Sequence, residues 1–365
     1  MKKVLFIAHI DQHIRHFHLP YIKWFKTRGY EVHVASCGDD SFDLVEKKYN
    51  IPFRRNPFSY MNFKAYKMLK SIIEREKYVL VHCHTPVGGA IGRLAARNER
   101  KHNTKVLYTA HGFHFYKGAP ILNWLIYFSV EKILSRFTDC ILTINNEDYE
   151  LALKKYTQTC IRKVNGVGVD FKLNELPEMQ KNNEFHLLEN DILIVSVGEL
   201  NKNKNHEFMI KLLAKLNNYS FKYLIVGEGH YKRSLELLIN KNNLESKVKL
   251  LGYRKDIYNI LQSADIFLFP SKREGLPVAL MEAMYCGLPV VCSNIRGNSD
   301  LIVDQKGGYC IDLKDENVFL ESITYLFENN DKCSEFGKFN KNRVKKFELN
   351  KVIDDMEDVY LSYLE

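Results

Sequence analysis

The sequence predicts an α/β chain of two doubly wound domains, each built on a parallel sheet. Three observations carry that expectation. Short, continuous apolar segments alternate with amphipathic stretches, the pattern of strands covered on both faces by crossover helices. The alternation breaks once, over a polar stretch from about residue 165 to 190, and then restarts. The apolar segments end in polar loops, several bearing glycine, at the strand ends where such sheets bind ligands.

The chain opens with MKKVLFIAHIDQH, whose apolar run is too short for a signal peptide and reads as a first buried strand. Strands are expected at Val4–Ala8, Val32–Ala35, Val79–His82, Val106–Thr109 and Cys140–Ile144. Helices are expected near Leu19–Thr27, Ala65–Glu76, Gly89–Arg97, Ile121–Phe137 and Asn146–Lys155. The loop after the first strand is rich in cationic and imidazole groups: His9, His13, Arg15, His16 and His18. Such a loop suits an anionic acceptor. Its histidine spacing matches no zinc pattern, so no metal ligands are assigned. His82 and His84 close the third strand, and His111 with Gly112 follows the fourth. An imidazole at a strand's carboxyl end can bond a hydroxyl or share charge with a phosphate.

Two segments of this half bear on membranes. Phe53 to Tyr78 interleaves basic residues with aromatics, a composition suited to an anionic lipid surface. Trp124–Phe128 is expected to be buried, because it lies in a helix between buried strands. The apolar run Ile121–Val130 is broken by Asn123 and Ser129 and stopped by Glu131, far short of a span of ~20 residues.

The boundary falls at Asn165-Gly166-Val167-Gly168-Val169-Asp170, giving domains of 1–165 and 170–348. Strands follow at Ile192–Val197, Tyr223–Val226, Val248–Leu250, Ile266–Phe269, Val290–Cys292 and Tyr309–Ile311. A last helix, about 350–365, has no strand after it and is expected to pack back on the first domain. Two such domains would frame a cleft, a common place for ligands.

Pro270 to Gly287, PSKREGLPVALMEAMYCG, is the most informative stretch. Glu274 is expected on a loop and Glu282 inside the following helix, with Pro277 at the first helical position. The helix end, with Gly275 and Leu276 leading into it, is a ready anion site. Carboxylates on both sides suit a ligand with hydroxyls flanking a phosphate, such as a nucleotide sugar. Gly198 followed by Lys202 and Lys204 is a second place to hold phosphate. Gly227-Glu228-Gly229 makes a tight strand-to-helix turn; with Lys232 where a third glycine would stand, it is a weak dinucleotide fingerprint. Tyr253 and Arg254 follow another strand and could meet a nucleobase, with Asp256 as a helix cap.

Residues 1–160 carry 25 Lys/Arg against 14 Asp/Glu, whereas residues 161–365 carry 28 against 30. A basic first half should meet something anionic. No nucleic-acid recognition motif accompanies it. The eight cysteines form no CxxC and read as free thiols in a reducing cytosol.

With these residues in view, the chain resembles the family-4 glycosyltransferases, retaining enzymes of the GT-B fold. The resemblance spans nearly the whole length. It rests on the Glu274-to-Glu282 block, Gly198 with Lys204, Gly227-Glu228-Gly229, Leu251-Gly252-Tyr253-Arg254, His111-Gly112 and Gly166-Val167-Gly168-Val169-Asp170. It implies two Rossmann-like domains facing across a cleft, an N-terminal one for the acceptor and a C-terminal one for the nucleotide sugar. It implies that Glu282 bonds the donor ribose, and that Glu274 with the N–H groups near Gly275 to Pro277 faces the hexose and diphosphate. Lys204 would neutralise the diphosphate and His111 contact the donor sugar. Two departures stand out: Glu199 occupies a position where the family often has arginine, and the loop after the first strand is His/Arg-rich where the family's is glycine-rich.

The His-rich loop, HGFHFYKGAP and GELNKNKNH are similar to bacterial members that build capsular and exopolysaccharide repeat units on polyprenyl diphosphate. The expected function is retaining transfer of a hexose or N-acetylhexosamine from a UDP-sugar to such a lipid-linked saccharide. Glu274, His111 and Lys204 would be catalytic; His13, Arg15, His16 and His84 would meet the acceptor. No cofactor or metal is expected. The enzyme would be cytoplasmic, resting on the inner membrane face through its basic first domain. The competing expectation is a catalytically weak scaffold that binds UDP-sugar without transfer.

Overall fold

The structure is a computed structural model; it describes residues 1–171, 185, 188, 191–216 and 218–364. Most of the polar stretch expected to join the two domains lies outside the described residues. The chain divides into unit 1, Met1–Gly168 with Leu349–Glu365, and unit 2, Val169–Glu348.

Unit 1 holds a seven-stranded sheet in the order β3-β2-β1-β4-β5-β6-β7. Its strands are β1 (Lys3–Ile10), β2 (Glu31–Cys37), β3 (Lys47–Asn50), β4 (Leu80–His84), β5 (Lys105–Ala110), β6 (Cys140–Thr143) and β7 (Cys160–Lys163). All pairs are parallel: Val4 stands opposite both Val32 and Leu80. The central strands are buried on both faces and largely apolar, with His82, His84 and Thr109 as buried polar exceptions toward their carboxyl ends. The helices are α1 (Asp11–Phe17), α2 (Leu19–Thr27), α3 (Tyr60–Glu76), α4 (Pro86–Ala96), α5 (Ile121–Asn123), α6 (Ser129–Ser135) and α7 (Asn146–Lys155).

β3 and β7 were not among the expected strands. Both are four-residue edge strands, KKYN and CIRK, with exposed or half-exposed side chains. An edge strand needs no apolar face, so its sequence carries little strand signal.

The segment between α5 and α6 corrects a second expectation. Trp124–Phe128 forms one π-helical turn. Trp124, Tyr127 and Phe128 pack against the core, but Leu125 is 65% exposed and Ile121 79%. The wide turn spreads its apolar residues around the helix instead of along one stripe, so the segment is only partly buried.

Unit 2 repeats the architecture with six parallel strands in the order β10-β9-β8-β11-β12-β13. They are β8 (Ile192–Val197), β9 (Phe221–Val226), β10 (Val248–Gly252), β11 (Ile266–Phe269), β12 (Val290–Ser293) and β13 (Gly308–Ile311). The helices are α8 (His206–Leu213), α9 (Lys232–Lys241), α10 (Ile257–Ser263), α11 (Val278–Cys286), α12 (Asn298–Leu301), α13 (Glu316–Glu328) and α14 (Asn330–Val344).

The last helix, α15 (Leu349–Leu364), belongs to unit 1. Tyr360 packs edge-on to Phe25 and its hydroxyl meets His82 Nδ1 at 2.9 Å. The whole positive charge rides on unit 1 despite the acidity of α15: unit 1 has 28 Lys/Arg against 19 Asp/Glu, and unit 2 has 25 of each.

Both sheets reverse their winding once. In unit 1 the reversal lies between β1 and β4; in unit 2 it lies between β8 and β11. At such a switch point the loops diverge and leave a crevice at the strands' carboxyl ends. The residues that follow β1, β4, β8 and β11 are therefore the ones the fold places for ligands.

Candidate active site

In unit 2 the loops after β8 and β11 are stitched together. Asn203 donates its side-chain N–H to the Arg273 carbonyl at 2.9 Å, and Lys272 N–H returns to the Asn203 carbonyl at 2.8 Å. Asn205 Nδ2 reaches the Pro270 carbonyl at 3.1 Å. Asn201 Oδ1 accepts the N–H groups of Asn203 and Lys204, bending the first loop so that Lys204 turns over the sheet. There Lys204 Nζ meets Glu274 Oε1 at 2.8 Å, and both side chains are largely buried.

Glycines make room for this arrangement. A Cβ on Gly198 would stand about 3.0 Å from the Lys204 stem. Gly227, at φ +143°, passes so close to the Gly198 carbonyl that any Cβ would overlap it. The Gly227-Glu228-Gly229 turn is thus a packing device for the loop after β8. A pocket of about 400 Å³ opens beside these glycines, lined by Val197, Gly198, Val226, Gly227, Tyr253, Arg254, Lys255 and Ile257. That volume is in the range of small-molecule sites. Arg254 grips Asp256 through Nε and Nη2 at 2.8 and 2.6 Å. Asp256 stands at the N-cap of α10, but its carboxylate makes no capping bond. Tyr253 is exposed at the pocket edge.

Pro277 occupies the N-cap of α11, not the first helical position expected; its ψ of 121° is extended, and the helix begins at Val278. The shift leaves the early N–H groups of α11 unpaired within the helix, behind the loop of Gly275 and the buried Leu276. Glu282 lies inside α11, half-buried, and burial lifts its carboxyl to about 7. Glu199 is exposed, and so is Lys202, whose Nζ lies 5.8 Å from the Tyr231 ring centroid. The structure therefore joins Lys204 with Glu274 and leaves Lys202 outside the pair.

Arg296 was missed from sequence. It is 6% exposed and donates Nε to the Glu274 carbonyl at 3.1 Å. Gly297, at φ +80°, passes against the Gly275 carbonyl where a Cβ would stand 2.6 Å away. An arginine beside a glycine in the loop after β12 was the available signal.

In unit 1 the switch point gathers histidines. His13 from α1, His18 at the α1–α2 junction, His84 from the end of β4 and His111 after β5 bring one ring nitrogen each within 4.8 Å of one another. His13 Nε2 and His111 Nε2 are 3.4 Å apart, and the His18 and His84 rings stack with centroids 3.7 Å apart. Burial holds all four imidazoles in their neutral form: His13 is pushed down to about 2, His111 to about 4, and His18 and His84 well below the usual range. His18 and His84 are fully buried; His13 and His111 are partly buried. The loop carrying His111 is fixed by buried Asp148, which accepts the Phe113 N–H at 3.0 Å.

His82 stands apart from this group. Its nitrogens are taken by the Tyr360 and Thr109 hydroxyls. Of the residues expected to meet an acceptor, His13 and His84 join His111, but Arg15 and His16 do not. Arg15 pairs with Asp40 at 3.0 Å and His16 Nδ1 meets the Gln12 carbonyl at 2.7 Å, both on the exposed side of α1. Spacing along the chain assigned no metal ligands here. Spacing could not show the cluster, because its members come from three strand ends.

Comparison with known proteins bears on both units. Residues 3–145 match the family model "Glycosyl transferase 4-like", and residues 178–343 match "Glycosyl transferases group 1". EpsD of Bacillus subtilis strain 168, assigned as a glycosyltransferase, is 40% identical over 372 residues, covering 100% of this chain and 97% of that protein. The Escherichia coli UDP-Gal:alpha-D-GlcNAc-diphosphoundecaprenol alpha-1,3-galactosyltransferase is 30% identical, covering 84% of this chain and 81% of that one. Among solved structures, the sucrose-phosphate synthase of Thermosynechococcus elongatus matches with a TM-score of 0.81 at 18% identity over 99% of both chains. Anabaena HepE in complex with UDP and glucose matches with a TM-score of 0.76 at 18% identity, over 99% of this chain and 100% of that one.

Proposed function

This chain belongs to the group 1 and 4-like glycosyltransferases of the GT-B fold, and from that premise we propose that it transfers a hexose or N-acetylhexosamine, with retention, from a UDP-sugar to a saccharide on polyprenyl diphosphate in bacterial surface polysaccharide synthesis. The observation that carries the reading is the buried Lys204–Glu274 pair at the switch point of unit 2. It sets a cation and a hydroxyl acceptor side by side at the end of a helix whose N–H groups favour anions. We assign donor binding to unit 2. The nucleobase enters the pocket by Tyr253 and Arg254, the ribose bonds Glu282, and the diphosphate meets Lys204 and the start of α11.

Transfer follows from charge. As the bond between the anomeric carbon and the phosphate oxygen breaks, negative charge grows on the leaving diphosphate. Lys204 and the α11 N–H groups stabilise it, with buried Arg296 behind the loop; no metal is assigned to this step. The acceptor hydroxyl bonds to the anomeric carbon from the face the phosphate leaves, and its proton passes to the departing phosphate oxygen. Glu274, bonded to hexose hydroxyls, holds the sugar for attack. Acceptor handling is assigned to the switch point of unit 1, at His13, His84 and His111.

The E. coli relative named for a diphosphoundecaprenol substrate supports a lipid-linked acceptor. Exposed Ile121, Leu122 and Leu125, with Phe58 and Tyr60 elsewhere on unit 1 and its net positive charge, support a peripheral place on an anionic membrane. The test is a panel of UDP-, GDP- and dTDP-sugars read by thermal shift, followed by product analysis with lipid-linked acceptors. The reading expects a UDP-sugar to be selected and an axial linkage to stay axial. Selection of another nucleotide, or inversion at the anomeric carbon, overturns it.

A further inference from the structure

The four histidines at the switch point of unit 1 are more than a polar patch. We propose that His13, His18, His84 and His111 bind one divalent transition-metal ion of the zinc class, which clamps together α1 with the turn after it, the end of β4 and the loop after β5. The inference does not depend on the donor chemistry assigned to unit 2.

Geometry gives the first argument. One nitrogen from each ring falls within a 4.8 Å cluster. The 3.4 Å between His13 Nε2 and His111 Nε2 is close to the ~3.3 Å edge of a tetrahedron built on Zn–N bonds of ~2.0–2.1 Å. Four-fold ligation requires the wider separations, up to 4.8 Å, to shorten by side-chain rotation.

Unmet bonding gives the second. Both ring nitrogens of His18 and both of His84 are buried without a hydrogen-bond partner. Buried polar atoms are rarely left so, because each forfeits its hydration. His82 makes the contrast: it lies two residues before His84 on the same strand, and both its nitrogens are bonded to hydroxyls. A packing role for imidazoles in this core is thus met by His82 with full bonding. His18 and His84 instead carry free lone pairs into the cluster.

Chemistry gives the third. Four imidazoles and no carboxylate select a borderline ion such as Zn²⁺, Co²⁺ or Ni²⁺ over Mg²⁺ or Ca²⁺, which prefer oxygen. The ligands come from α1 and the turn after it, the end of β4 and the loop after β5, so an ion here fixes the crevice of unit 1 in one shape.

The experiment uses the untagged 365-residue chain, stripped with chelator and titrated with Zn²⁺ and separately with Co²⁺. Metal content by mass spectrometry should reach one Zn²⁺ per chain. The Co²⁺ form should show the intense visible absorption of a tetrahedral or five-coordinate nitrogen site, and Zn²⁺ should raise the melting temperature. His13→Ala and His111→Ala, the two less buried members, should weaken ion binding by roughly 100-fold or more. His16→Ala, outside the cluster, should keep it. Circular dichroism and UDP thermal shift confirm that each variant is folded. Binding below one equivalent at micromolar Zn²⁺, a Co²⁺ spectrum of a fully hydrated ion, or equal affinity in His13→Ala and His111→Ala overturns the proposal.

Discussion

Lys204 Nζ and Glu274 Oε1 stand 2.8 Å apart, joining the two loops that leave the sheet of unit 2 on either side of its switch point. The pair satisfies two charges that would otherwise be costly to bury. It also poses a competition. A diphosphate that draws Lys204 releases Glu274 for sugar hydroxyls, so the two substitutions should part ways. Lys204→Ala should weaken UDP-sugar binding by about tenfold to hundredfold, the loss of one charge-assisted bond. Glu274→Ala frees the lysine, so UDP should bind as well as or better than in the wild type, while kcat falls by roughly 100- to 1000-fold. Calorimetry with UDP and a transfer assay with the selected donor check both. Full turnover in Glu274→Ala contradicts the assignment.

Glu282 makes stability depend on pH. Its folded-state value of about 7 lies above the unfolded value of ~4.3 because burial disfavours the carboxylate. A raised value means that the fold prefers the protonated form. The contribution is whole below about pH 4 and is lost as pH rises through about 7. Glu282→Gln, permanently neutral, should melt like the wild type near pH 4 and several degrees higher at pH 8, where the separation of the two values corresponds to roughly 3 kcal/mol. The same substitution should weaken UDP-sugar binding if the ribose uses this carboxylate. Ribose hydroxyls favour the ionised form, so wild-type binding near pH 7 should release protons, measurable as a buffer-dependent enthalpy. The variant should release none.

Much of the fold was legible because central strands of a parallel sheet must be apolar on both faces. Ile266–Phe269 carries that mark along its whole length and Ile192–Val197 at every position but Ser196, and the structure places strands over those residues. β3 and β7 were not legible because edge strands escape the requirement. In the candidate site, Lys204 and Glu274 announced themselves through glycine, charge and strand ends. Arg296 did not, since one arginine in a loop resembles any solvated arginine until burial is known. The histidine cluster was out of reach for another reason. Residues 13, 18, 84 and 111 meet only because β1 lies beside β4 and β4 beside β5, a consequence of strand order that spacing does not express.

Arg93 and Glu131 test the core of unit 1. The guanidinium is fully buried, grips both carboxylate oxygens of Glu131 at 2.8 and 2.9 Å, and lies 3.8 Å from the Tyr108 ring centroid. The pair ties α4 to α6. Removing one partner strands a buried charge, so Glu131→Ala should cost about 3–5 kcal/mol. Replacing both with apolar residues, Arg93→Met with Glu131→Leu, should recover most of that loss. Urea unfolding of the single and double variants measures the difference. A Glu131→Ala cost under about 1 kcal/mol would place the pair among exposed ones in energetic terms.

The apolar ridge on unit 1 leads to the last prediction. Ile121, Leu122, Leu125 and Ile133 are all more than half exposed, with exposed Lys132 and Arg136 beside them on the same helical stretch. Apolar side chains of this size gain little in water and about 1.5–3 kcal/mol each when fully buried. A basic surface adds attraction to anionic lipid that salt weakens. The chain should float with phosphatidylglycerol vesicles at low salt and less with neutral phosphatidylcholine. Ile121→Ser with Leu125→Ser should lower the partition roughly tenfold or more in both, because it removes apolar area and leaves the charge intact. High salt should lower it only for the anionic vesicles. If the double variant floats as well as the wild type, the ridge does not enter the bilayer, and charge alone accounts for any attachment.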